Sequence, residues 1–143
     1  MSGIKRTTAD KHFSDAVRES FDFTCRSCGI NGRHQPGMMD CSHVFSRKHR
    51  NTRWHPLNAL CLCRSCHQKM SDRPPVHAEL VRKVWGEEKY YWLIREHNKV
   101  AKIPKAQEKD IAKHYKAEKE RVQGLRAMGR GGYIKINNWM DTE

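Results

Sequence analysis

The chain has no apolar run approaching the roughly 20 residues needed to cross a bilayer, so it has no candidate membrane span. Its first residues, Met1 to Asp15, lack the apolar centre of a secretory leader. Both absences argue for an intracellular, cytoplasmic protein, a setting in which disulfides are disfavoured. Apolar residues are sparse at 37%, which allows only a small core, and a core that small often needs a staple. Acidic residues are scarcer still. Asp and Glu number 16 against 28 Lys and Arg, a formal charge of +12. Between Cys41 and Ser71 there is no acid at all, while Arg47, Lys48, Arg50, Arg53, Arg64 and Lys69 are all positive. Such a surface suits a polyanion, because basic side chains that neutralise phosphates release condensed counterions. There is no internal repeat beyond a pair of CxxC motifs.

Those motifs are the clearest positive signal. Cys25 and Cys28 form one pair, and Cys63 and Cys66 the other. In a reducing compartment two such pairs read as one four-cysteine zinc site before they read as disulfides. Gly29 suits the tight exit from the first turn. Cys41 and Cys61 are left over and are expected as core thiols.

The chain of 143 residues is expected to be α+β and to divide into three segments. Residues 1–22 form a basic arm and a helix, capped by Thr7 or Thr8, that buries Phe13, Ala16, Val17 and Ser20 on one face. Residues 23–72 form the metal-stapled unit, with a strand over 38–45, a basic loop over 46–54, a strand over 57–62 and a helix from Arg64 to Met70. Residues 73–143 form a basic helical extension, with helices over 76–85, 87–100 and 105–128. The last of these carries a narrow apolar stripe at Ile111, Tyr115, Val122 and Leu125, interrupted by Glu118. It either projects as an arm or folds back on the core. Residues 133–143 read as a short strand or an ordered tail. Within the basic loop, Trp54 is expected to anchor the loop to the core, and His49 and His55 to contact phosphate or remain solvated.

The succession Asp40-Cys41-Ser42-His43, then Asn58, then Cys66-His67, inside paired CxxC motifs, resembles the HNH endonucleases of the ββα-metal, or His-Me finger, fold. The resemblance covers roughly residues 23–71. A weaker likeness extends to small phage HNH proteins, among them the NinG (Rap) recombination nucleases that act on branched DNA. In that case the compartment would be a host cytoplasm. The resemblance implies a DNA endonuclease that hydrolyses phosphodiester bonds. It gives His43 the role of general base toward the attacking water. Asn58 would orient His43 through its side-chain carbonyl or touch the metal. His67 would bind a catalytic divalent ion (Mg²⁺, Mn²⁺ or another) that stabilises the scissile phosphate and the leaving 3′ oxygen. The four-cysteine zinc would be structural and separate. Many relatives carry a metal ligand immediately before the base, where this chain has Ser42. Either Asp40 reaches the ion, or His67 and Asn58 hold it with water and phosphate oxygens. Arg47, Lys48, Arg50 and Arg53 would hold the DNA backbone. Left open are sequence-specific, non-specific or branch-specific cleavage, a dimer, and a zinc-stapled DNA-binding protein without catalysis.

Overall fold

The computed structural model describes residues 4–99 and 102–141. Helix α1 spans Thr8–Ser20 and opens on a capping box. The Asp10 backbone N–H donates to Thr7 Oγ1 at 3.3 Å, and the Thr7 N–H donates back to Asp10 Oδ2 at 2.9 Å. The face chosen by its periodicity, Phe13, Ala16, Val17 and Ser20, is buried. The chain leaves α1 through Asp22 and Phe23 at φ 55° and 51°, a left-handed conformation that side chains other than glycine rarely adopt. Bonds on every side hold it there: Phe23 N–H donates to the Arg18 carbonyl at 2.9 Å, and Arg33 Nε donates to Asp22 Oδ1 at 2.8 Å.

Two strands follow, β1 at Met39–His43 and β2 at Ala59–Cys63, paired antiparallel with Cys41 opposite Cys61. Both are shorter or shifted relative to the alternation in the sequence. Pro56–Asn58 winds into a 3₁₀ turn before β2 begins. Every residue of β2 is buried, so it is the central strand of the core rather than a half-exposed one. The connecting loop contains a helical turn, α2 at Arg50–Arg53, that the sequence did not signal. Trp54 closes it at 1% exposure and anchors it to the core. Helix α3, Arg64–Asp72, leaves directly from β2.

The extension consists of α4 (Pro74–Trp85), α5 (Glu87–Asn98) and α6 (Glu108–Ala127). The helix expected over 87–100 ends at Asn98, with Lys99 extended; Val100 lies outside the described residues. Pro74 and Pro75 occupy the first turn of α4, where their missing N–H costs nothing. Helix α6 does not project. It folds back along α1, burying Ile111, Tyr115 and Val122. The Tyr115 ring meets Phe13 edge-on at 4.9 Å, and its hydroxyl donates to the Trp54 carbonyl. Glu118, the apparent flaw in the stripe, is buried because it receives the tail: its Oε1 accepts from the Asn137 N–H at 2.7 Å. The described part of the tail, through Asp141, forms no strand. It runs extended with Ile134 and Ile136 buried, and the Ile134 N–H donates to the Ser20 carbonyl at 2.8 Å. One core therefore draws on α1, β2, α6 and the tail. Each large apolar side chain in it contributes about 1.5–3 kcal/mol. No helix among the described residues is long and apolar enough to cross a membrane.

Candidate active site and metal centre

The four cysteines of the two CxxC pairs come together. The first pair lies on a turn closed by Cys25 N–H to Ile30 O and Gly29 N–H to Cys25 O, each 2.9 Å, with Gly29 at φ 83°. Cys63 ends β2 and caps α3, whose first turn supplies Cys66. All four Sγ atoms lie within 4.8 Å of one another, and those of Cys28 and Cys63 are 3.9 Å apart. A tetrahedral ion with metal–sulfur bonds of about 2.3 Å separates its sulfurs by about 3.8 Å. The cage therefore fits a metal ion such as zinc. Burial and the neighbouring thiols push Cys66 up to about 12. Burial works against Cys25 too, but backbone groups of Cys28, Cys63 and Ser27 outweigh it and bring that thiol down to about 7. Four thiolates this close are held together only by a cation. Cys41 and Cys61 stand apart from the cage, and burial raises both to about 12. Cys61 is a core thiol, whereas Cys41 is half-buried beside a cavity.

That cavity, about 390 Å³ and open to solvent, is where β1 and α3 bring His43 and His67 together. Asp10, Ser46, Arg47 and Arg6 also line it. His43 is the last residue of β1, with its ring against Phe13 at 5.9 Å. Its Nε2 is enclosed and has no protein hydrogen-bond partner. Burial, reinforced by the charge of Arg47, lowers His43 to about 4, while Asp10 and the Arg53 backbone oppose the shift. The ring is therefore neutral at neutral pH.

His67 is oriented from behind. Its Nδ1 lies 3.0 Å from Asp40 Oδ2, and Asp40 Oδ1 accepts from Arg64 at 3.1 Å. Burial works against the Asp40 carboxylate, but Arg64 and His67 outweigh it and hold its pKa below the usual value. An ionised Asp40 keeps the proton on Nδ1 and leaves the Nε2 lone pair of His67 available, the arrangement by which carboxylates fix metal-binding imidazoles. The three residues do not constitute a ready cage: among the described residues, the four cysteines are the one group of three or more potential ligands. A divalent ion at His67 would take its other ligands from water and substrate. The free lone pair on a carboxylate-fixed ring fits such a group.

Asn58 does not do what the resemblance implies. It is fully buried, and both ends of its amide serve Phe45: Oδ1 accepts the Phe45 N–H at 2.8 Å and Nδ2 donates to the Phe45 carbonyl at 3.1 Å. It closes the loop between the strands and, among the described residues, its side chain hydrogen-bonds to neither histidine. Arg53 also differs from expectation. At 5% exposure, its guanidinium donates to both oxygens of Asp10, at 3.0 and 2.6 Å, and has no face left for a phosphate. Arg50 is committed to Glu108 and to the Ile103 carbonyl. Arg47 lies on the cavity rim, 3.6 Å from Asp10, and Lys48 is exposed. His55 is half-buried rather than freely solvated. Its Nδ1 accepts the Leu57 N–H at 3.0 Å, and burial lowers it to about 4. His49 packs edge-on against His97 at 4.3 Å.

The chain matches no family model, no curated protein and no solved structure.

The residue that sequence reasoning missed is Asp10. Besides capping α1 it binds Arg53, accepts from Trp54 Nε1 at 3.1 Å and lines the cavity beside His43. Its spacing from Thr7 announces the cap, but nothing local announces partners more than forty residues away.

Proposed function

We propose that the chain is a metal-dependent DNA endonuclease of the HNH kind. The observation that carries this reading is the meeting of His43 and His67 on one cavity, presented by a strand–strand–helix unit whose base is tied by four cysteines. His43 is neutral across the physiological range and can take a proton from water, and the carboxylate of Asp10 favours the imidazolium that results. His67, fixed by Asp40, offers one nitrogen to a divalent ion. Such an ion, when bound, supplies positive charge to the phosphate and the leaving 3′ oxygen. Arg47 places a further cation on the rim. Asn58 supports the site indirectly, by fixing the loop that carries Ser46 and Arg47.

Supercoiled plasmid, incubated with zinc-loaded protein and Mg²⁺, Mn²⁺ or chelator, tests the reading. Nicked or linear product is expected only with added metal and is lost in His43→Ala, which should still bind DNA. Tight, salt-sensitive binding without product under any metal would instead support a non-catalytic DNA-binding protein. Matched linear, nicked and four-way-junction substrates then decide the preferred DNA form; equal rates on all three would count against branch specificity.

A further inference from the structure

Around the candidate site most guanidinium groups are already engaged. Arg53 is held by Asp10, Arg64 by Asp40 and the Gly37 carbonyl, and Arg18 by Asp15 and Ser14. Arg6 is different. Its side chain is exposed and makes no hydrogen bond or ion pair among the described residues. Yet its backbone is fixed on both flanks. The Lys5 carbonyl accepts from Arg53 at 3.2 Å, and the Ile4 carbonyl accepts from Arg47 at 3.5 Å. On the other side, the Thr7 N–H donates to Asp10 Oδ2 at 2.9 Å. The segment expected as a loose arm is, from Ile4 onward, strapped across the cavity rim by the residues that organise the loop.

Arg6 also stands at a junction. It lines the cavity of His43 and His67, a neighbouring depression with Arg18, Arg64 and Lys119, and a shallow one with Lys11. The acids of the second depression, Asp15, Glu19 and Asp40, are each already paired with an arginine or lysine. A chain of phosphates leaving the cavity toward α1 would pass over Arg6, the one guanidinium there with all its donors free among the described residues. A planar fork of N–H donors on an anchored backbone matches phosphate geometry.

We propose that Arg6 binds a DNA phosphate at the mouth of the His43–His67 cavity and so directs the strand into it. The inference rests on the nuclease reading for its consequence in cleavage, but its binding part can be measured alone. Zinc-loaded full-length wild type, Arg6→Ala, Arg6→Lys and Lys89→Ala are compared by fluorescence anisotropy on a labelled duplex without divalent ion, across 50–200 mM salt. Lys89, on exposed α5, removes the same charge away from all three depressions. Arg6→Ala should weaken binding about three- to tenfold and reduce the slope of log affinity against log salt by about 0.9, the value of one phosphate contact. Arg6→Lys should restore the slope, yet in the metal-dependent assay it should leave KM raised, because a point charge lacks the fork. If Arg6→Ala behaves as wild type, or no differently from Lys89→Ala, the proposal is overturned. A wild-type chain that cuts nothing, with His43→Ala equally silent, sinks the nuclease reading, while the salt slope still decides Arg6.

Discussion

Asp10→Ala is the substitution with the most to reveal. The carboxylate receives five donors: Thr7 N and Oγ1, Arg53 Nε and Nη2, and Trp54 Nε1. Arg53 and Asp10 are 6% and 5% exposed at the side chain, so removing one leaves the other's charge stranded. A stranded buried charge costs about 3–5 kcal/mol. The orphaned indole N–H adds about 1–3 kcal/mol, and losing half of a capping box adds about 0.5–1 kcal/mol. These overlap, so a loss of about 4–6 kcal/mol is expected, a large share of the 5–15 kcal/mol typical of a domain. Urea unfolding with zinc retained, followed by tryptophan fluorescence, measures it. The double variant Asp10→Ala/Arg53→Met removes the stranded charge and should recover at least about 2 kcal/mol relative to additivity. A loss below about 1 kcal/mol, or strict additivity of the two changes, would refute this account of the loop. The pH dependence has a definite sign. Burial raises Asp10, but Arg53 and Thr7 outweigh it and the folded pKa falls below 3.8. Its contribution is therefore present above the unfolded pKa and is lost as pH falls through the folded one. Asp10→Asn should lack that acid-side loss.

Asn58→Ala should cost about 2–4 kcal/mol, because it leaves two backbone groups of Phe45 unpaired; an unchanged urea midpoint would contradict its role as the loop's clasp. Stripping the metal with a strong chelator should unfold the Cys25–Cys66 region, visible as lost near-ultraviolet dichroism, since structural zinc contributes about 10–16 kcal/mol in small peptides. If the chain cuts DNA, its rate should hold from neutral pH down to about 5 and fall only toward the His43 value of about 4; a limb near 6.5 would remove His43 from the role of base. Asp40→Asn should weaken the metal dependence of cleavage about 10–100-fold without abolishing it, whereas His67→Ala should abolish it. Stability should decline between about pH 6.5 and 4.5, where unfolded histidines take up protons that buried His43 and His55 refuse; His55→Asn, which keeps an acceptor for Leu57, should flatten part of that slope.

Much of this architecture is legible in the residues. The spacing of Cys25, Cys28, Cys63 and Cys66 reveals the cage because metal ligation imposes a local pattern. The period of Phe13, Ala16 and Val17 reveals α1 because burial imposes one too. What stayed hidden is what depends on contacts between distant segments. Arg53 looked like one more solvated cation, since nothing beside it shows that Asp10 lies against it. Asn58 sits where the HNH resemblance puts a functional amide, and only the folded loop shows both its polar ends on the backbone of one residue, Phe45. Glu118 read as a defect in an apolar stripe because one of its partners, the Asn137 N–H, lies outside the helix that holds the other, Arg121. Asp40, one of the two alternatives for reaching the ion, is in the fold the partner of the His67 imidazole, a contact that spacing alone does not carry.

The pairing of α1 with α6 also dictates an order of events on the ribosome. The metal cage is complete once Cys66 has emerged, and zinc can close it while the rest of the chain is still being made. Helix α1 also packs on β1 and β2, but the part of its apolar face that meets α6 must wait for the residues through Ala127. At about 5–20 residues per second that interval is about 3–12 s. During it, Phe13, Ala16 and Val17 have no α6 to pack against. The nascent protein would thus be a metal knuckle with a half-covered amphipathic helix, and synthesis stalled between α3 and α6 would leave a sticky fragment rather than a shorter folded domain.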